Sequence, residues 1–445
     1  MADPREPPTV YLDNAAAVLM PPPVVDSVAR WLNRGDAGGG HASAREGRRL
    51  LEAYRREVAA EGAFELEGPL GFSVVLTSGG AEANSHVLSA AVRAYSRKTG
   101  KLPHLVTSVA EDPSVLACCR ALVLDRLAQV SYLPVAAEGG ALGSVAPRAL
   151  RAALRPNTCL VSLFAAGSST GALNNLRALG EVAHAARVPF HSDARMLYGR
   201  SAFHPRALNL DAFSAEARSH GGPPGAGLLV LRNDFLAGYG LGALIGGPEE
   251  GGLRGGAANL PAFAGAFAAL RLAAADRGAK NARTARLREA LLAGLARACL
   301  CVSLDEYRAA RPRVPDRSPA TPASARVAAP AQSAAAAGTA RALDAAADEG
   351  RAALVYLGPP DPARALPGLL LFSALLPPGA CALGVRRALE ARRLLVGHGG
   401  DVGPLGLPPE LEEGAFQVCL SDASSREDVR RFLEGFARVA AAPSP

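Results

Sequence analysis

Between Val10 and about Leu231 the chain repeats one pattern, in which a short apolar run bounded by glycine or turn residues is followed by an amphipathic stretch. The runs Ser73–Thr77, Leu105–Thr107, Val130–Leu133, Leu160–Phe164 and Leu228–Leu231 are three to five residues long, the length of strands. Leu228–Leu231 is apolar throughout and the others carry only one or two Ser or Thr, which suits strands covered on both faces. The stretches between them read as helices. Arg45–Glu61 carries Leu50, Leu51, Tyr54 and Val58 as an apolar stripe in a charged surround, and Pro147–Leu154 and Leu176–Ala186 repeat the arrangement. This alternation predicts an α/β fold with a mainly parallel sheet between helices.

The pattern changes after Asn259. An Ala-rich stretch, 262–297, reads as one long helix, and a second, smaller α+β unit is expected beyond it. Residues 307–350 are rich in Pro, Ala, Ser and Arg without sustained periodicity and read as a mobile surface insertion, with one helix candidate over Thr339–Arg351. Strands are expected again at Ala353–Leu357 and Leu369–Phe372, a helix near Cys381–Arg393, and a last helix over Ser425–Ala441. Its start carries a capping box, Ser425-Arg426-Glu427-Asp428.

Composition removes several classes of function. With 445 residues, 49% of them hydrophobic, a sizeable core is available. No run approaches the roughly 20 apolar residues of a membrane span, and the N-terminal residues form no secretory or presequence pattern, so a cytoplasmic protein is expected. Seven cysteines, an odd number, fit free thiols, and none has metal-site spacing with histidine. The net charge of +7 is spread over scattered arginines without a basic block, which argues against nucleic-acid and membrane partners. Lysine is scarce: Lys98, Lys101 and Lys280 are the only three.

Motifs along the first 260 residues narrow the reading. Tyr11-Leu12-Asp13-Asn14-Ala15-Ala16 comes first. Val75-Leu76-Thr77-Ser78-Gly79-Gly80-Ala81-Glu82-Ala83-Asn84 reads as a strand entering a glycine turn and a helix N-terminus, where exposed N–H groups can hold a phosphate. Thr107–Val115, Val161–Gly171, Pro189–Ala194, Gly222–Gly227 and Leu253–Asn259 follow. Taken in order, these segments resemble those of the class V aminotransferase family, pyridoxal-phosphate (PLP) fold type I, and within it the cysteine desulfurase and selenocysteine lyase branch. The resemblance implies a large PLP-type domain over 20–262, an N-terminal segment 1–19 packing on a small domain over 263–445, and a homodimer with sites at the subunit interface.

Family chemistry needs a lysine amine to hold the coenzyme as an imine. The family's S-x-H-K segment here reads Glu216-Ala217-Arg218-Ser219, which sets Ser219 at the lysine and Arg218 at the histidine, and no lysine lies between Lys101 and Lys280. By the same resemblance Ala81 stands for the phosphate-binding threonine, Asp112 for the histidine that stacks on the ring, Gly167-Ser168-Ser169 for the N-N-E triplet and Met196 for the glutamine near the ring hydroxyl. Ala257 stands for the threonine given across the dimer. Gly400 stands for the sulfur-accepting cysteine and Gln417 for the arginine that binds the substrate carboxylate. Asp193, the family's partner of the pyridinium nitrogen, is kept, although a carboxylate at a strand end also caps nearby backbone.

The coenzyme-site candidates are therefore Gly80, Ala81, Asp112, Asp193 and Ser219, with no catalytic residue and no metal ligand assigned. The expectation is a degenerate family member that serves binding or regulation through an unidentified protein partner, with no covalent PLP and room for non-covalent PLP. Two other readings remain open here. One is altered chemistry built on Asp112, Asp193, Arg218, Ser219 and His220; the other is an ordinary desulfurase or selenocysteine lyase.

Overall fold

The computed structural model describes residues 8–34, 36–311, 334–348, 353–375, 382–398, 405, 407, 411–412 and 414–440. Most of the 307–350 insertion, the loop holding Gly400, and Cys381 lie outside these residues.

The chain begins with β1 (Val10–Leu12) and the helices α1 (Pro22–Trp31) and α2 (Ala42–Gly62). It then builds a seven-stranded sheet from β2 (Phe72–Thr77), β3 (His104–Ser108), β4 (Gln129–Leu133), β5 (Thr158–Ser162), β6 (Phe190–Asp193), β7 (Ala212–Glu216) and β8 (Gly227–Arg232). The strand order is β2-β8-β7-β6-β5-β3-β4. Only β8 runs against its neighbours; β4-β3-β5-β6-β7 is parallel throughout. The expected α/β architecture with a mainly parallel sheet is the one found.

Between the strands lie α3 (Gly80–Thr99), α4 (Pro113–Leu124), α5 (Pro147–Ala153) and α6 (Leu176–Ala185), and after them α7 (Asn233–Tyr239) and α8 (Leu260–Ala274). Alternate residues of each strand point to opposite faces, so the sheet feeds two cores. Val74, Leu76, Val161, Phe213 and Val230 pack with Tyr54 and Phe263 of α2 and α8 on one side. Val75, Leu160, Leu229 and Leu231 pack with Val87 and Leu88 of α3 and Val115 of α4 on the other.

The stretch expected as one helix over 262–297 is two. α8 ends as Ala275 turns extended, and Asp276 adopts a left-handed φ of 53° before α9 (Arg277–Ala298) starts in a new direction. The break carries a weak local mark, Asp276-Arg277-Gly278, since aspartate tolerates the left-handed region and glycine lowers helix propensity, but both flanks are Ala-rich and favour helix. Beyond α9 come β9 (Leu300–Ser303), α10 (Leu304–Ala310), α11 (Ala334–Asp348), β10 (Ala353–Tyr356), β11 (Leu369–Leu375), α12 (Ala382–Glu390), β12 (Leu394–His398) and β13 (Ala415–Cys419). They form a second sheet in the order β1-β12-β13-β11-β10-β9, so the N-terminal strand closes an edge made by the C-terminal third. The last helix, Arg426–Ala440, is capped as its sequence predicts: Ser425 Oγ accepts from the Asp428 N–H at 3.1 Å, and Asp428 Oδ2 accepts from the Ser425 N–H at 2.8 Å.

Candidate functional site

The site lies where β2, β6 and β7 end against the N-terminus of α3. Gly79 is extended and Gly80 opens the helix. β8 begins so close to this turn that a Cβ at Gly227 would stand 2.4 Å from the Gly79 carbonyl carbon, which only glycine permits. The first N–H groups of α3 thus remain open toward the end of β7, a ready anion seat.

Glu216, the last residue of β7, faces that seat. A Cβ on Gly80 would lie 3.5 Å from Glu216 Oε2. The other oxygen, Oε1, accepts from Arg218 Nε at 2.9 Å and from Ser219 Oγ at 3.4 Å, and lies 4.0 Å from Arg195. Arg195 also pairs with Asp112 at 2.6 Å, and its backbone N–H donates to Asp193 Oδ1 at 3.0 Å. Asp193 accepts from Asn84 at 2.8 Å, and Asn84 reaches Ser114 at 3.1 Å, which donates back to Asp112 at 2.5 Å. Four sequence candidates, Gly80, Asp112, Asp193 and Ser219, therefore converge on one charged cluster. Ala81 follows Gly80 in α3 but is exposed, and its methyl group offers the cluster nothing.

Electrostatics hold the cluster together. Burial alone would lower the Arg195 pKa, but Asp193, Asp112 and Glu216 outweigh it and keep the guanidinium above its ordinary value. Asp193 is fully buried and its carboxyl is raised by burial, which Arg195 partly offsets. Beneath it Glu111 is pushed up to about 8, chiefly by burial and then by the Asp193 charge, despite a hydrogen bond from Ser108 at 2.6 Å. Arg254 holds Glu82 of α3 at 3.0 Å, and Asn259 caps α8 by accepting from the Ala262 N–H at 3.2 Å.

Three other polar residues of the family-like segments are placed elsewhere. His191 sits inside the sheet, bracketed by Ser162 at 2.8 Å and Ser214 at 3.0 Å, as a core histidine. Among the described residues no group of three or more His, Cys, Asp or Glu could hold a metal. His220 turns away from the Asp193 cluster and lines a cleft formed with Arg200, Arg277 and Lys280. Gln417 donates to the carbonyls of Ser168 and Ser169, both at 2.8 Å, so two segments that depart from the family pattern bind each other. The lysines do not enter the cluster: Lys98 reaches the Gly238 carbonyl at 3.5 Å, Lys101 is exposed, and Lys280 contacts the Leu272 carbonyl and Asp422.

The sequence model of the aminotransferase class-V family matches residues 10–314. The chain belongs to that family. It is 32% identical over 289 residues to the cysteine desulfurase IscS of Anaeromyxobacter dehalogenans (strain 2CP-C), covering 64% of this chain and 68% of that protein. To a cysteine desulfurase of Cereibacter sphaeroides it is 34% identical over 294 residues, 65% and 72% of the two chains. Among solved structures, a NifS-like protein superposes with a TM-score of 0.76 at 20% identity over 97% of this chain and 99% of its own, and a NifS-like protein from Rickettsia africae ESF-5 with 0.74 at 18%. The fold is PLP fold type I, and the chain is cysteine desulfurase-like.

The residues at this family's coenzyme seat do not fit PLP. A phosphate at the α3 N-terminus meets the Glu216 carboxylate, like charge against like charge. Ser219, which the motif correspondence sets at the family's lysine, carries a hydroxyl and no amine.

Sequence reasoning missed Glu216, Arg195 and Glu111. The first two had a signal: a glutamate opens the segment that resembles S-x-H-K, and an arginine follows Asp193-Ala194 directly after the Phe190–Asp193 strand.

Proposed function

We propose that this chain is a non-catalytic, cysteine desulfurase-like member of the class-V aminotransferase family, working as a binding or regulatory scaffold. One observation carries the reading: Glu216 sets its carboxylate beside the N-terminus of α3, with Oε2 3.5 Å from a Cβ built on Gly80, while Arg218 pairs with its other oxygen and Arg195 stands 4.0 Å away. The groups that would have to hold a coenzyme are consumed by one another. Asp193 and Asp112 are likewise committed to Asn84, Ser114 and Arg195. That commitment also weighs against altered chemistry on the same residues, since a general acid or base needs a substrate proton within hydrogen-bond reach.

The test is to purify the full chain with excess PLP, remove free coenzyme, and record the visible spectrum before and after borohydride, with sulfide release from L-cysteine followed in parallel. No retained band and no sulfide are expected. A band that borohydride shifts, or sulfide release above a heat-treated control, would overturn the proposal. A retained band insensitive to borohydride would mean that PLP is held without an imine, and the Glu216 argument would fail.

A further inference from the structure

A second cavity lies behind the Ser219 turn, walled by α8, α9, the segment before β11 and the segment after β13. None of Gly80, Asp112, Asp193 or Glu216 lines it. Its volume is about 120 Å³. A dry cavity of about 150 Å³ accepts benzene, so this one suits a ligand of roughly six heavy atoms and excludes a nucleotide or a coenzyme.

The walls have two characters. Ala269, Leu272, Leu366 and Leu369 make one side apolar. The other carries Arg200, Arg277 and Lys280. Arg200 spends its Nε on the Ser219 carbonyl and one Nη on the Asn14 carbonyl, both at 2.5 Å, and makes no ion pair among the described residues. Arg277 approaches Glu61 at 2.5 Å but without hydrogen-bond alignment, so the contact is ionic only and its Nε has no partner. Lys280 lies 3.6 Å from Asp422. Three cations thus face two carboxylates, which leaves one positive charge uncompensated.

His220 supplies the second observation. It is 8% exposed, it lines the cavity, and neither ring nitrogen has a partner. Burial, helped by Arg200 and Arg277, pushes it down to about 3, so its ring is neutral with one N–H and one lone pair to offer. Buried polar groups without partners are rare in native proteins, and a ligand carrying oxygen acceptors would relieve this one.

We propose that this cavity binds a short-chain aliphatic monocarboxylate, its carboxylate between Lys280, Arg200 and His220 and its alkyl chain against Leu272, Leu366 and Leu369. A monoanion matches the one excess charge, and four carbons with a carboxylate oxygen pair fill the space.

The probe is sodium butyrate, titrated into the full chain by calorimetry at fixed ionic strength, with butyramide and inorganic phosphate as controls. Saturable binding near roughly 1 mM is expected for so small a ligand. Butyramide should bind at least about tenfold more weakly, because the cations of the cavity wall gain no anion. Lys280→Met, on an amine 31% exposed, should weaken butyrate about fivefold or more while leaving the melting temperature near that of the parent. In NMR, butyrate should shift the His220 ring resonances and raise its titration midpoint.

No saturation up to about 50 mM, far past the affinity bound for such a ligand, overturns the proposal. So does butyramide binding as well as butyrate, phosphate competing at equal affinity, or a Lys280→Met affinity equal to the parent's. None of these outcomes bears on coenzyme retention, so this site and the Glu216 reading stand or fall separately.

Discussion

Glu216→Gln removes one charge and almost no volume from the seat at the α3 N-terminus. The carboxylate lies within about 4 Å of where a phosphate oxygen would sit, judged from the 3.5 Å between Glu216 Oε2 and a Cβ built on Gly80. Two unit charges at that spacing interact by about 4 kcal/mol at an effective dielectric of about 20. A phosphate monoester carries about 1.5 to 2 negative charges, which raises the repulsion. Arg195 and Arg218 already screen Glu216, and their release toward the incoming phosphate partly returns the balance. A net gain of about 2 to 3 kcal/mol remains, roughly 30- to 150-fold in affinity.

Equilibrium dialysis of the parent and Glu216→Gln proteins against PLP, pyridoxal and inorganic phosphate reads this directly. PLP and phosphate should both bind the variant at least about 30-fold more tightly, while pyridoxal, which lacks the phosphate, should be unaffected. Equal PLP affinity in parent and variant would refute the argument that Glu216 blocks the seat. A gain for pyridoxal as large as that for PLP would do the same, because the change would then have nothing to do with charge.

Other consequences follow from the same cluster and from the family. Arg195→Ala leaves Asp112, Asp193 and Glu216 facing one another without their shared cation; discounted for a guanidinium 19% exposed, the loss should be about 2 to 4 kcal/mol in chemical denaturation, and a loss under about 0.5 kcal/mol would show that the ion pairs are incidental. Burial raises the folded pKa of Glu111 to about 8 from its ordinary 4.5, so the unfolded chain releases its proton first and stability from this group declines as pH rises from about 4.5 through 8. Glu111→Gln should therefore flatten the fall in melting temperature between pH 5 and pH 8, and an unchanged slope would mean the buried carboxyl titrates normally. Light scattering at micromolar concentration should give twice the 45.6 kDa chain mass if the family's homodimer is kept, and a monomer would mean the interface has gone as well.

Much of this molecule was legible from pattern. The strands from β2 to β5 and β8 stand within about two residues of their apolar runs, because strands covered on both faces must be apolar on both, and the Ser425 cap formed where its residue types predicted it. The break at Asp276 was missed because its local mark, Asp276-Arg277-Gly278, is weak against the Ala-rich flanks, whose propensity favours a continuous helix. At the site, resemblance located Asp193, Asp112 and Ser219 but described them by what the family would have done with them. What they do here depends on contacts between residues far apart in sequence, Arg195 with Asp112 and Glu216 with the start of α3, and no spacing rule reports those.

The position of Glu216 also bears on how such a site can lose its coenzyme without losing its fold. An open helix N-terminus beside the buried Asp193 and the half-buried Asp112 is stable only while something satisfies both. A bound phosphate cofactor can supply the negative charge at the helix; here a glutamate at the end of β7 places a carboxylate beside the helix start, and Arg195 supplies the positive charge that the acids require. On this argument Glu216 and Arg195 act as one unit. The double variant Glu216→Gln, Arg195→Met should then be less destabilised than the two single losses added, by about 1 kcal/mol or more in a double-mutant cycle. Strict additivity would mean that the two side chains, 4.0 Å apart, stabilise the fold independently and that the cluster is not a substitute for the coenzyme.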